Sequence, residues 1–238
     1  YSMKKTFMLK YITSTIFFVF FNTFHYSQIE LSDSTEIKSI YGLKIGIDLS
    51  KQIRMLTESN YKGLVINTDY KLSDKFFIAS EFGQEKKYTK NEILDFETKG
   101  SFLKIGGNYN LYKNRPGLNN EIYIGFRLGI GKFNHKLNSF KIYNLDNYWD
   151  QKTVNNITEF KNLTANWFEL VLGFNAEIKR NVFMGLSLRL NRLLKNTKPD
   201  NFNNLYIPGF NKVTENNNFG VGITYSINYQ IPFFKKNN

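Results

Sequence analysis

The sequence predicts an all-β fold: an eight-stranded antiparallel transmembrane barrel of the outer-membrane kind, built as an up-and-down meander. Three observations predict it: a long alternating C-terminal segment, seven shorter segments with the same period, and connections that alternate in length. From Phe219 to Phe233 every odd position is apolar or aromatic: Phe219, Val221, Ile223, Tyr225, Ile227, Tyr229, Ile231 and Phe233. Even positions up to Gln230 are small or polar. A period of two gives a strand one apolar face and one polar face. The run exceeds an ordinary strand of about five or six residues. It suits a tilted strand crossing a bilayer, which needs roughly 9–11 residues.

The other strands follow in chain order. The first is Tyr41–Leu49, with Leu43, Ile45, Ile47 and Leu49 on one face. The second, Lys62–Leu72, presents Leu64, Ile66, Thr68, Tyr70 and Leu72; the third, Phe76–Gly83, presents Phe76, Ile78, Ser80 and Phe82. The fourth, Phe102–Tyr112, carries Leu103, Ile105, Gly107, Tyr109 and Leu111, and the fifth, Glu121–Phe133, carries Ile122 through Ile130. The sixth runs from Phe168 to Ile178 and the seventh from Val182 to Leu190. No Asp, Glu, Lys or Arg falls in these rows. A charge facing lipid at mid-bilayer costs about 2–4 kcal/mol, so their exclusion is expected.

The opposite faces hold glycines and charges of both signs. An ion-pair network inside the barrel is expected from Lys44, Asp48, Asp69, Glu81, Lys104, Arg127, Glu169, Glu177 and Arg189, with Lys71 on the same faces. Arg127 and Arg189 are expected to pair with Glu169, Glu177 or their neighbours. An eight-stranded barrel has room inside only for side chains, and buried charges need partners. The expected interior is therefore a salt-bridged filling rather than a channel. A soluble calyx alternates too, but it has to place the bulky apolar rows inside, where they overfill it.

Connections after the second, fourth and sixth strands are short, and those after the first, third, fifth and seventh are longer. Outer-membrane barrels pair short periplasmic turns with long extracellular loops. That arrangement places both termini in the periplasm.

The N-terminus reads as a secretory signal over residues 1–27. Met3-Lys4-Lys5 is basic, Ile16–Phe21 is the apolar centre, and cleavage is expected after Ser27, with Tyr1 and Ser2 preceding the initiator. Residues 28–40 form a periplasmic segment, 41–234 the barrel and 235–238 a basic tail. Cysteine is absent, which excludes disulfides and thiolate metal sites. The formal charge is +12; without Lys4, Lys5 and Lys10 it is +9. In an exported chain this charge points to lipopolysaccharide phosphates and anionic headgroups as partners, not to nucleic acid.

The stretches YGLKIGIDLSK (Tyr41–Lys51), YKGLVINTDYKLSDKFFIASEFG (Tyr61–Gly83) and KGSFLKIGGNYNLY (Lys99–Tyr112) resemble the Bacteroidota family DUF6048. The resemblance continues through Ala165–Leu190, through Asn201–Val213 with its string LYIPGF, and to Phe219–Phe233. It implies an outer-membrane barrel of uncharacterised function and supplies no catalytic residues.

Some small barrels are lipid A deacylases or acyltransferases, so catalysis must be weighed. After signal removal His135 is the remaining histidine, read as an exposed loop residue, with Ser139 and Glu159 nearby. Ser and His at i, i+4 in an extended segment lie too far apart to touch, so no nucleophile and base pair is in place. No metal or cofactor is implied. Two features point to binding. The periplasmic rim is basic, with Lys75, Lys113, Arg115, Lys179, Arg180, Lys235 and Lys236. The fourth long loop holds Phe202, Leu205, Tyr206, Ile207, Pro208 and Phe210, which serve as a partner patch if exposed or a lid if folded back. The function favoured is non-catalytic: a structural or accessory component of an envelope assembly, working with a protein partner through the loops or the rim. The alternatives are a lipid A-modifying enzyme and a narrow solute pore.

Overall fold

A computed structural model describes residues 38–114, 118–141, 153–155, 157–199, 203–212 and 218–237. The signal segment, most of residues 28–40, Phe202 and Arg115 lie outside the described residues. Eight long strands form the wall: β1 (Lys38–Asp48), β2 (Tyr61–Lys71), β3 (Phe76–Lys90), β4 (Leu94–Asn110), β5 (Glu121–Lys141), β7 (Thr158–Lys179), β8 (Val182–Asn196) and β11 (Phe219–Asn237). Each pairs antiparallel with its chain neighbours, and β1 closes the ring on β11. The short β6 (Thr153–Val154) extends the upper end of β5. Two further short strands, β9 (Tyr206–Ile207) and β10 (Asn211–Lys212), form a separate hairpin. The eight-stranded meander expected from the period-two pattern is the fold observed.

The apolar rows face out. Ile66, Phe82, Leu103 and Ile130 lie side by side across β2 to β5, and they are 42, 50, 43 and 60% exposed. The inward positions between them are buried, Glu81 at 5% and Lys104 at 6%. This is the reverse of a soluble calyx. An outer belt of half-exposed Ile, Leu and Phe is stable in a hydrocarbon phase and not in water.

The strands run further than the hydropathy pattern indicates. β3 continues from Gly83 to Lys90, β4 starts at Leu94 rather than Phe102, and β5 continues from Phe133 to Lys141. β7 starts at Thr158 rather than Phe168, and β8 ends at Asn196 rather than Leu190. Above the belt the outward positions meet water, so polar residues such as Gln84, Lys86 and Lys99 replace apolar ones and the outward apolar row ends. The connection after β3 is thus a tight turn rather than a long loop. In that turn Asn91 Oδ1 accepts from the Ile93 and Leu94 N–H groups at 3.0 and 2.7 Å.

Corrections also fall at strand ends. Leu72, Leu111 and Tyr112 lie just past their strands. Leu49 belongs not to β1 but to a helix, α1 (Leu49–Thr57). Asp48 caps that helix, its carboxylate accepting from Ser50 N at 2.9 Å.

The middle of the outer row on β5 gives a direct test. Replacing Phe126 by Arg should cost about 2–4 kcal/mol more than replacing it by Leu, because the guanidinium meets hydrocarbon. Urea unfolding of both variants in lipid vesicles measures the difference, and equal midpoints would contradict an apolar surrounding.

Candidate functional site

The lumen is filled in layers, which the inward positions of the strands build. At the level nearer the chain termini, Lys44 of β1 forms an ion pair with Glu121 of β5, across the barrel. Asn175 Nδ2 donates to the other Glu121 oxygen at 2.8 Å, and the Lys44 ammonium lies 4.3 Å from the Phe183 ring centre. Asn67 and Asn228 hydrogen-bond to each other on the same inner surface.

The central layer gathers three cations around two carboxylates. Arg189 Nη1 donates to Glu81 at 2.8 Å and to Glu169 at 3.1 Å. Lys104 Nζ meets Glu169 at 2.8 Å and Glu81 at 3.7 Å. Arg127 Nε lies 3.5 Å from Glu81, and its Nη1 donates to Asn108 Oδ1 and Phe126 O, both at 2.8 Å. Glu81 therefore faces Lys104, Arg127 and Arg189 at once. A void of about 30 Å³ beside this layer, lined in part by Asp69, Tyr123 and Arg127, has space for one or two waters.

Above the charges sits an apolar storey: Val65, Phe102, Phe133, Leu163, Ala165, Trp167 and Leu193, with Ile207 and Phe210 entering from the loop between β8 and β11. Trp167 joins the two storeys. Its indole N–H donates to Glu169 at 2.7 Å, while its ring meets Phe102 and Phe210 edge-on at 6.3 and 6.2 Å. Its plane lies so close over Gly129 that a Cβ there would fall 2.2 Å from the ring, so only glycine lets this tryptophan lie against the wall.

The loop string LYIPGF is a plug. Tyr206, Ile207, Pro208, Gly209 and Phe210 are buried, and only Leu205 keeps substantial exposure. Phe210 N bonds to Ile207 O at 3.1 Å, and Gly209 has φ of 81°. Proline followed by a glycine at positive φ is the signature of a type II turn. Glu85 of β3 holds this turn, accepting from Tyr206 Oη at 2.5 Å and from Gly209 N at 3.1 Å. Lys51 of α1 completes the cluster at 2.9 Å from Glu85. Arg54 of the same helix stacks on Tyr61 at 4.0 Å and donates to Asn211 Oδ1 at 3.2 Å. The helix thus clamps the plug from above. Of the two expectations for this loop, the structure takes the folded-back one.

His135 is not an exposed loop residue. It is buried in β5 between Phe96 and Phe133, with ring centres 4.8 and 5.0 Å away. Its Nε2 donates to Asn204 Oδ1 at 2.9 Å and its Nδ1 accepts from the Thr98 hydroxyl at 3.0 Å. Both nitrogens are engaged, and burial pushes its pKa down to about 4. A neutral histidine with Thr and Asn partners anchors the start of the plug loop; it does not face Ser139, which pairs with Asp95 on β4.

A sequence profile described as a domain of unknown function, DUF6048, matches residues 8–236. The chain belongs to that family. No curated protein matches it significantly. Among solved structures it is similar to Neisserial surface protein A, at 13% identity and a TM-score of 0.42, over 82% of this chain and 99% of that one. It is also similar to Ail, the attachment invasion locus protein of Yersinia pestis, at 9% identity and 0.37, over 82% and 99% of the two chains. Acinetobacter baumannii CarO2 matches at 7% and 0.35, over 83% and 100%. Identities and scores this low carry no functional information.

The remaining expected site residues separate by position. In this family member no ion pair joins Glu177 to an arginine among the described residues: Glu177 lies half-buried near the turn into β8, where it accepts from Asn119 Nδ2 at 3.1 Å and Asn181 N at 2.8 Å. The reason is register, since Glu177 sits opposite Phe183, six residues from Arg189 along β8. Lys71 pairs with Asp74 at 2.8 Å, near the same end. Lys75, Lys113, Lys179 and Arg180 are exposed at the turns of this end. Lys235 and Lys236 continue β11 there, opposite Ile40 and Ser39. Glu121, Glu85, Lys51 and Trp167 were absent from the expected set. Glu121, Glu85 and Trp167 continue the inward parity of their strands, a signal present in the sequence; Lys51 lies in a helix that parity does not reach.

Two outcomes follow from this layering. Glu81→Gln leaves three cations around one carboxylate and should cost about 3–5 kcal/mol. Glu177→Gln, at the wetter end, should stay within about 1 kcal/mol; urea midpoints in detergent compare them. The plug should also loosen in acid. His135 has a folded pKa below its ordinary 6.5, so its contribution is full above that value and is lost as pH falls toward about 4. Glu85, which burial alone would raise, is brought down to about 2 by Lys51, Tyr206 and the Gly209 N–H. Its contribution fades between pH 4.5 and 2. Hydrogen exchange of residues 203–212 should show both steps, and His135→Gln should remove the first alone.

Proposed function

We propose that this protein is a sealed, non-conducting barrel of the bacterial outer membrane, with both termini in the periplasm. In this reading it acts without catalysis, as a structural or accessory component of an envelope assembly. One observation carries the reading: the Tyr206–Phe210 plug closes the lumen over a layer in which Lys104, Arg127 and Arg189 meet Glu81 and Glu169. A path for solute would have to break both storeys. Further support comes from the ends. Lys38 and Asn237 pair at one end of the wall, together with the connections from β2 to β3 and from β7 to β8. The strand extensions, α1 and the plug lie at the other.

The basic rim around the termini suits contact with phosphates of the inner leaflet or with an acidic partner there. The opposite end offers the surface of α1, where Ile53 and Leu56 are 52 and 88% exposed. In His135 the proposed role meets its nearest catalytic rival: both ring nitrogens already hold structural bonds.

Planar-bilayer recording tests the sealed lumen. Wild type should give no discrete conductance, and neither should a variant with residues 203–212 replaced by a short Gly-Ser linker, because the charged layer still fills the lumen. Steady channel openings in wild type would overturn the proposal. Lipid A mass spectra from a deletion strain should match the parent; a missing or added acyl chain would favour an enzyme instead.

A further inference from the structure

Above the apolar belt, the outer wall is strongly cationic on one sector. The outward row Ile66, Phe82, Leu103 and Ile130 runs in register across β2, β3, β4 and β5. One outward step higher the same strands present Leu64, Gln84, Ser101 and Lys132; the next step presents Lys62, Lys86, Lys99 and Asn134. Lys62 stands directly opposite Lys86, and Lys86 directly opposite Lys99. Neighbouring strands are roughly 4.8 Å apart, and like charges directly opposite destabilise a sheet.

These four lysines are exposed. Among the described residues only Lys86 of the four has an ion pair, with Glu97 at 2.9 Å. All four line an open recess of about 850 Å³, together with Ser101 and Asn134. That volume falls in the usual range of ligand sites. The wall beyond β5 differs. There the row of Lys132 continues into Thr164 of β7, whose hydroxyl bonds that of Thr197, so its neighbours are neutral hydroxyls.

We propose that the Lys62–Lys86–Lys99–Lys132 sector is a binding site for the phosphate groups of an anionic lipid in the outer leaflet. The inference rests on the membrane-spanning reading of the barrel. Its occupant follows from position: Lys132 lies one outward step, and Lys62, Lys86 and Lys99 two steps, above an unbroken apolar row, so a single amphiphile can lay acyl chains on Ile66, Phe82, Leu103 and Ile130 and set its phosphates among the ammonium groups. Ser101 Oγ and Asn134 Nδ2 supply neutral donors to phosphate oxygens. Binding of an anion removes the repulsion that the aligned lysines otherwise create. A soluble anion has no use for the apolar row.

The test uses full-length mature protein refolded into phosphatidylcholine vesicles, with and without bisphosphorylated lipid A. Lipid retained after detergent extraction is titrated by native mass spectrometry. The variant is Lys62→Gln, Lys86→Gln, Lys99→Gln combined, and the control is Lys195→Gln with Lys198→Gln, exposed lysines outside the sector. Each lysine near an anionic surface is worth roughly fivefold in affinity, so the triple variant should bind lipid A about a hundredfold more weakly and the control should match wild type. In pure phosphatidylcholine the triple variant should resist urea at least as well as wild type, which shows that it folds.

Equal retention by the triple variant and wild type would overturn the site. So would an equal loss in the control, which would mean that net charge alone attracts the lipid. Displacement of the lipid by equimolar inorganic phosphate would overturn the lipid assignment. Failure of wild type to insert into any vesicle is a different result; it would remove the membrane reading itself and the site with it.

Discussion

Burying charge inside an apolar shell is the constraint on which this structure depends. The outer surface must present Ile, Leu and Phe to hydrocarbon, so the polar residues of a period-two strand have nowhere to point but inward. Once inside, each ion has lost its water and needs an opposite charge with good geometry. The arrangement around Glu81 and Glu169 meets that need with shared ligands rather than isolated pairs. Arg189 spans both carboxylates, Lys104 reaches both, and Arg127 adds bonds to Asn108 and a backbone carbonyl. A lattice of shared partners tolerates three cations to two anions better than separate pairs could.

Space is the second demand. Long side chains and aromatic rings fit a narrow lumen only where the wall is thinned. Gly129 is thinned for Trp167, and Gly173 for Tyr123, whose ring would lie 2.2 Å from an added Cβ. The same tryptophan then couples the polar and apolar storeys, since one edge bonds Glu169 and its faces and edges pack on Phe102 and Phe210. The plug is therefore an extension of the core and not a loose cover.

What could be read from the sequence follows where the surroundings impose a pattern. Lipid forbids charge on the outward row, so the eight membrane segments are legible, as is the side on which Lys44, Lys104, Arg127, Glu169 and Arg189 lie. Partner choice is not legible in the same way. Arg189 and Glu81 are 108 residues apart, on strands that are not neighbours, and they meet across the lumen. Glu177 shares parity with Glu169 yet lies eight residues further along β7, at the wet end, so parity alone overstates its role. Above the belt the parity inverts: in Lys132, Phe133, Asn134, His135, Lys136 and Leu137 the apolar side chains are the inward ones, so the extensions of β3, β4, β5, β7 and β8 lie beyond the outward apolar rows that mark the membrane segments. The helix α1 is short and none of its residues is buried; it is held in place by contacts to Glu85, Tyr61 and the plug. The string LYIPGF was recognisable as a unit, but its direction was not: an apolar loop reads alike whether it turns out or in.

The two bonds that Glu85 accepts from the plug also order events in time. Tyr206 and Gly209 lie 121 and 124 residues beyond Glu85 in the chain. Between them run β4, β5, β7 and β8, all of which must be paired before the carboxylate and the turn can meet. Contacts of such separation form slowly and late. By the same measure the seam between β1 and β11, where Lys38 stands opposite Asn237, spans still more of the chain, so the plug and the seam are the two contacts whose closure topology makes slow.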